Sequence, residues 1–102
     1  MSEAVVIAPE GEVDITHVGE FRDALAGVGT EAVAVVVDLS LVTFIDSSGL
    51  GALIDLHNRL RRNHGRLAVV APRGTVAAVL LNLAGLQNRM AIFASRADAL
   101  GP

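Results

Sequence analysis

Apolar positions along the chain alternate between continuous runs and helical repeats. Ala4–Ala8 (Ala-Val-Val-Ile-Ala) is a short apolar run stopped by Pro9, and Gly11–Ile15 extends it after a bend. Val18, Phe21, Leu25 and Val28 then recur at helical spacing, with Glu20, Arg22 and Asp23 opposite and Gly27 and Gly29 as stop signals. Ala32–Val37 is apolar throughout and Val-rich, the pattern of a parallel strand covered on both faces. Asp38–Asp46 reads as a connector, yet its Leu41, Val42, Phe44 and Ile45 predict that it packs.

A helix is expected to open near Ser47-Ser48-Gly49 and to close at Asn63-His64-Gly65. Leu50, Leu53, Ile54, His57 and Leu60 form its expected inner stripe, while Asp55, Asn58, Arg59 and Arg62 face water. Asp55 precedes Arg59 by one turn, the favourable order for an ion pair along a helix. Arg66–Ala71 reads as a strand ended by Pro72. Thr75 is the expected N-cap of a third helix with Val76, Val79, Leu80 and Leu83 inward and Gly85 just past its end. Met90–Ala94 predicts a final edge strand, and Ser95–Leu100 a short terminal helix.

The order β, α, β, α, β, α, β implies an α/β fold: a mostly parallel four-stranded sheet with alternating helices and right-handed crossovers. No linker or low-complexity tract interrupts it, so residues 1–102 are expected to form a single domain. With 102 residues, 52% of them hydrophobic, the chain can bury a core and is not a disordered tail.

The absence of cysteine excludes disulfides, thiolate catalysis and Cys-ligated metals. No basic leader segment opens the chain, and its longest apolar runs fall far short of the ~18 residues that span a bilayer. A soluble, cytoplasmic protein without membrane contact is expected. All the basic residues are Arg, and the net charge is −3. That balance, with only Phe21, Phe44 and Phe93 as aromatics, argues against nucleic-acid binding. The cluster Arg59, Arg61, Arg62, His64 and Arg66 reads as a solvated helix end whose charge complements the helix dipole.

Candidate chemistry gathers where the strands end. In open α/β sheets the working surface lies beyond the carboxyl ends of the strands. Two loops there stand out, Gly11-Glu12-Val13-Asp14 and Phe44-Ile45-Asp46-Ser47-Ser48-Gly49-Leu50-Gly51. In the second, an Asp and two hydroxyls precede an amphipathic helix, where unpaired N–H groups and the positive dipole end meet. Asp46, Ser47 or Ser48 could serve as a cap, with Gly49 and Gly51 allowing close packing. Alternatively, one hydroxyl accepts a phosphoryl group, whose near-double negative charge beside Asp46 and Asp14 would repel a docked partner.

Enzymatic readings lack parts. Of the candidate bases His17, His57 and His64, His57 falls on an inner stripe, and the G-x-S-x-G elbow is absent. No Lys exists for a phosphate loop. The acidic pair and late lysine of a receiver domain are also missing. His and carboxylates show no metal-ligand spacing, and Glu10, Glu12 and Asp14 read as an acidic turn, so no metal or cofactor is expected.

Gly11-Glu12-Val13-Asp14, the stretch from Val36-Val37-Asp38-Leu39-Ser40 to Asp46-Ser47-Ser48-Gly49-Leu50-Gly51, and the helix from Val76 to Gly85-Leu86 together resemble the STAS domain family. The likeness is to its bacterial anti-sigma factor antagonist branch and runs from about Val5 to Phe93. It implies partner switching by a protein that is not itself an enzyme. The unphosphorylated domain would bind an anti-sigma factor, a GHKL-type serine kinase, and phosphorylation of Ser48 would release it. A PP2C-type phosphatase would reset the switch. Asp14 and Asp46 match the acidic residues flanking the acceptor, and Ser47, Gly49, Leu50 and Gly51 the partner-binding frame. A regulatory subunit of an ABC-type lipid transporter, or a detached transporter module, is the alternative within the same family. Three departures are visible: Thr16-His17 differs from the usual helix opening, the last helix is short, and the family's additional N-terminal edge strand has no counterpart before Ala4. The last of these would leave Ala4–Ala8 open to pairing with a second copy in a weak homodimer.

Overall fold

A computed structural model describes residues 4–28 and 34–101. Strand β1 (Ala4–Ile7) is followed by β2 (Gly11–Val13), helix α1 (Val18–Ala26), β3 (Ala34–Asp38) and β4 (Val42–Ile45). Helix α2 (Ser47–Arg62), β5 (Arg66–Val70) and α3 (Val76–Leu83) come next, then a 3₁₀ turn over Leu86–Asn88, β6 (Ala91–Phe93) and α4 (Arg96–Leu100). The main sheet has the order β1-β3-β5-β6 with every pair parallel. Parallel neighbours require long crossovers, and α1, α2 and α3 supply them. This is the four-stranded α/β architecture that the alternation of patterns predicts. The first part of the expected strand Ala32–Val37, and Gly29 before it, lie outside the described residues.

Two expectations about the carboxyl edge need correction. Gly11–Ile15 does not prolong β1: beyond Pro9, Gly11 adopts φ 76°, and β2 pairs in parallel with β4 to make a separate two-stranded sheet. The supposed connector Asp38–Asp46 therefore contains a strand. Its burial runs Val42 in, Thr43 and Phe44 out, Ile45 in, so two-residue alternation does not reveal it.

Val35, Val37, Leu67 and Val69 of the main sheet share one core with Phe21 and Leu25 of α1 and Leu53, Leu56 and Leu60 of α2. Val36 and Val70 are buried on the opposite side, where α4 packs against β3, β5 and β6. The α2 stripe is rotated slightly from expectation. Ala52 and Leu56 are buried with Leu53 and Leu60, whereas Leu50, Ile54 and His57 are half-buried. Asp55 does not pair with Arg59. It takes Arg22 of α1 at 3.0 Å, and Arg59 instead donates to the Leu25 carbonyl at 2.8 Å, sharing that acceptor at the end of α1 with the Val28 amide.

Helix α3 differs more. Thr75 caps it as expected, accepting from the Ala78 amide at 3.2 Å, and Gly85 follows its end with φ 74°. The inward residues, however, are Ala77 and Leu81, while Val76, Val79 and Leu83 are exposed and Leu80 is half-buried. The small Ala77 lets this helix approach closely, leaving an apolar stripe on its outside. Among the described residues β1 pairs with β3 alone, and its other edge is unpaired.

Candidate functional site

The site is built where β4 runs into α2. Asp46 is extended (φ −110°, ψ −171°) and caps the helix: one carboxylate oxygen accepts from the Ser48 amide at 2.9 Å and the Gly49 amide at 3.4 Å. Its other oxygen accepts from the Ile15 amide at 3.0 Å. The side chain predicted to flank a phosphoacceptor is thus also a strut that joins the start of α2 to the loop after β2. That double duty needs a contact from a distant segment, which spacing in the sequence does not show.

Gly49 fixes how deeply the helix sits. A Cβ there would lie 2.6 Å from Ile45 Cγ1 and 2.7 Å from the Val13 carbonyl oxygen, so the first turn of α2 is pressed directly onto β2 and β4. Gly49 is buried and shapes the site from beneath; Leu50 and Gly51 are half-buried, and Ser47 is exposed. Ser48 is half-buried, and its hydroxyl makes no hydrogen bond among the described residues. A hydroxyl with one open side and no internal partner is chemically available.

Asp14 lies in the neighbouring loop and does a different job. Its carboxylate accepts from the amides of Thr16 and His17 and pairs with His17 Nδ1 at 2.7 Å, bracing the turn into α1. The hydrogen bond from His17 holds the Asp14 carboxyl below its ordinary range, against the opposing effect of burial. The same bond and the charge of Asp14 raise His17, with Glu12 and Glu20 adding to the effect. The sequence spacing suggests no metal-ligand cluster, but folding brings ligand atoms of Glu12, Asp14 and His17 within 4.8 Å of one another. These three could hold a cation at the surface, but His17 Nδ1 is already engaged by Asp14, and the group works as a carboxylate–imidazole pair.

Ile15 and Phe44 are exposed, one beside the Asp46 strut and the other on the strand leading into it. Sequence reasoning placed Phe44 in a packed connector and missed both as surface. The result is a surface with acidic groups, apolar side chains and one available hydroxyl around a helix start. Among the described residues the Ser48 hydroxyl has no hydrogen bond to a histidine or carboxylate; Asp46 engages its amide instead.

Fold and site together describe a small α/β domain with a capped helix start at the carboxyl edge of its strands. Residues 2–99 match the model of the STAS domain, and the chain belongs to the STAS domain family. It is 31% identical over 96 residues to the anti-sigma-F factor antagonist RsfB of Mycobacterium tuberculosis, an alignment covering 93% of this chain and 77% of that protein. The crystal structure of an anti-sigma factor antagonist from Mycobacterium paratuberculosis superposes with a TM-score of 0.86 at 30% identity, covering 95% of this chain and 82% of that one. A putative anti-sigma factor antagonist from Thermotoga maritima shares the fold with a TM-score of 0.78 at 24% identity, covering 95% and 84% of the two chains. Among the described residues, no helix is long and apolar enough to cross a membrane.

Proposed function

We propose that the chain is an anti-sigma factor antagonist that works by partner switching in the cytoplasm, with Ser48 as its phosphoacceptor. The observation that carries this reading is the Ser48 hydroxyl itself, half-buried, without a partner among the described residues and one residue beyond the Ser47 that follows Asp46. The unphosphorylated face offers Ile15, Phe44 and Ser47 to an anti-sigma factor that is a GHKL-type serine kinase. ATP and its metal belong to that kinase. Transfer to Ser48 places close to two negative charges beside the Asp46 carboxylate. The capping amides of α2 already serve Asp46, so they cannot neutralise the new charge in full. Electrostatic cost then falls on the complex, which dissociates, and a PP2C-type phosphatase restores the binding form. Similarity to two mycobacterial antagonists, covered over 77% and 82% of their lengths, supports the same role.

The test incubates the purified chain with the GHKL-type kinases of its host and ATP, and maps phosphate by mass spectrometry. Ser48→Ala should retain kinase binding and lose phosphate incorporation, and Ser48→Asp should bind more weakly. Full incorporation into Ser48→Ala would move the acceptor to another hydroxyl, and failure of the unmodified chain to bind any such kinase would overturn the proposal.

A further inference from the structure

The amino edge of the sheet carries a second arrangement that partner switching at Ser48 does not use. Helix α2 runs for 16 residues, about 24 Å, and delivers its basic end to this opposite edge. There a cleft of about 390 Å³ is lined by His57, Arg61, Arg66, Gln87, Asn88 and Arg89 together with apolar residues. Arg61 stands one helical turn after His57. The parallel register Ala68↔Ala91 brings Arg66 and Arg89, each two residues upstream, to the entries of adjacent strands. Like charges brought side by side in this way repel.

Among the described residues no carboxylate is paired with them. Arg22 and Arg96 each hold a carboxylate, at 3.0 Å and 2.6 Å, but among the described residues no carboxylate lies within 4.0 Å of Arg61, Arg66 or Arg89. His57 Nδ1 is buried without any hydrogen-bond partner. Such an atom is costly unless something else satisfies it. Burial and the charges of Arg61 and Arg89 push protons off the ring. No acidic group lines the cleft to oppose them.

We infer that this cleft is a binding site for a phosphate group, either free or as a small phosphomonoester. A carboxylate is satisfied by one bidentate guanidinium, whereas a tetrahedral dianion offers oxygens to several donors at once. The three Arg side chains, with the amides of Gln87 and Asn88, supply donors from α2, β5 and the 3₁₀ turn. A bound dianion offsets the charges of Arg61 and Arg89 beside His57 and so favours the protonated ring. No Phe, Tyr or Trp lines the cleft as a stacking platform for a row of bases, which separates it from a nucleic-acid groove.

The test titrates the full chain at constant ionic strength with inorganic phosphate and, separately, with glycerol 3-phosphate, following the histidine ring signals by NMR and the melting temperature. One saturable site is expected, with a His57 shift, a rise in its apparent pKa and a higher melting temperature. The tighter of the two probes identifies the free or the esterified source. Arg61→Gln with Arg89→Gln should weaken binding at least about tenfold, while Arg73→Gln, outside the cleft, should leave it unchanged. Both cleft arginines are exposed, so the variant should fold, and Arg89→Gln alone gives the same readout should the pair fail to. Absence of saturation, an unmoved His57 signal, or equal binding by the Arg61/Arg89 variant would overturn the inference.

Discussion

The carboxylate of Asp46 holds the amide of Ile15 at 3.0 Å across 31 residues of sequence while its other oxygen caps α2. One side chain therefore sets both the start of the helix that carries Ser48 and the loop beside it. Asp46→Ala should cost about 0.5–2 kcal/mol from the lost cap alone. Asp46→Asn can still accept from the Ser48 amide, but it presents an NH₂ group where Ile15 needs an acceptor. This variant should melt close to the parent yet show faster hydrogen exchange at Ile15. Slow exchange there in Asp46→Asn would mean that the loop is held by other contacts.

The two helical glycines near Ser48 should respond oppositely to alanine. At Gly49 the new Cβ meets the Val13 carbonyl oxygen at 2.7 Å, backbone that cannot swing aside, and the cost should be at least about 1–3 kcal/mol. At Gly51 the nearest atom is Arg22 Nη2 at 3.7 Å, an ordinary contact. Gly51→Ala should therefore gain up to about 1 kcal/mol of helix propensity. Thermal unfolding followed by circular dichroism reads both, since the chain lacks Trp and Tyr.

Asp38 is a buried acid at the end of β3, with Ser40 and Arg96 as partners. Burial pushes its carboxyl up, but the hydrogen bonds from Ser40 and Arg96 and the Arg96 charge outweigh that and hold it below the ordinary value of 3.8. The sign follows: its stabilisation is complete above 3.8 and is lost as pH falls through the lower folded value. Arg96→Ala removes one side of the balance. It should cost about 1–3 kcal/mol near neutrality and shift acid unfolding to higher pH. An acid midpoint unchanged in Arg96→Ala would show that Ser40 suffices.

His64 adopts φ 60°, the left-handed conformation in which a helix end prefers glycine. The Gly65 amide then closes the helix on the Leu60 carbonyl at 2.7 Å. His64→Gly should gain about 1 kcal/mol by removing the Cβ penalty, raising the melting temperature by roughly 4–8 °C. A lower melting temperature would indicate that the imidazole makes a stabilising contact of its own.

The parts of this protein written in local chemistry were legible in its sequence. Asp46-Ser47-Ser48-Gly49 announces a capped helix start because cap, hydroxyls and glycine are consecutive, and Thr75 and Gly85 bracket α3 for the same reason. Orientation was legible only where polar residues mark the outer face. Among the eight residues of α3 only Asn82 is polar, so nothing distinguishes Val79 as outside from Leu81 as inside. Strand β4 hides because Thr43 and Phe44 both face out. The ties Asp46–Ile15 and Asp38–Arg96 join residues 31 and 58 positions apart, a separation that no local pattern encodes.

Helix α4 has five residues, and among the described residues its one ion pair to the sheet is Arg96–Asp38. Beneath it lie Val36 and Val70, on the face of the main sheet opposite α1 and α2. A protease that clipped the tail after Phe93 would leave the Asp46 cap and α2 intact and still bare a strip of valine on the molecule's back. Loss of solubility, not loss of recognition, would be the first symptom of such damage.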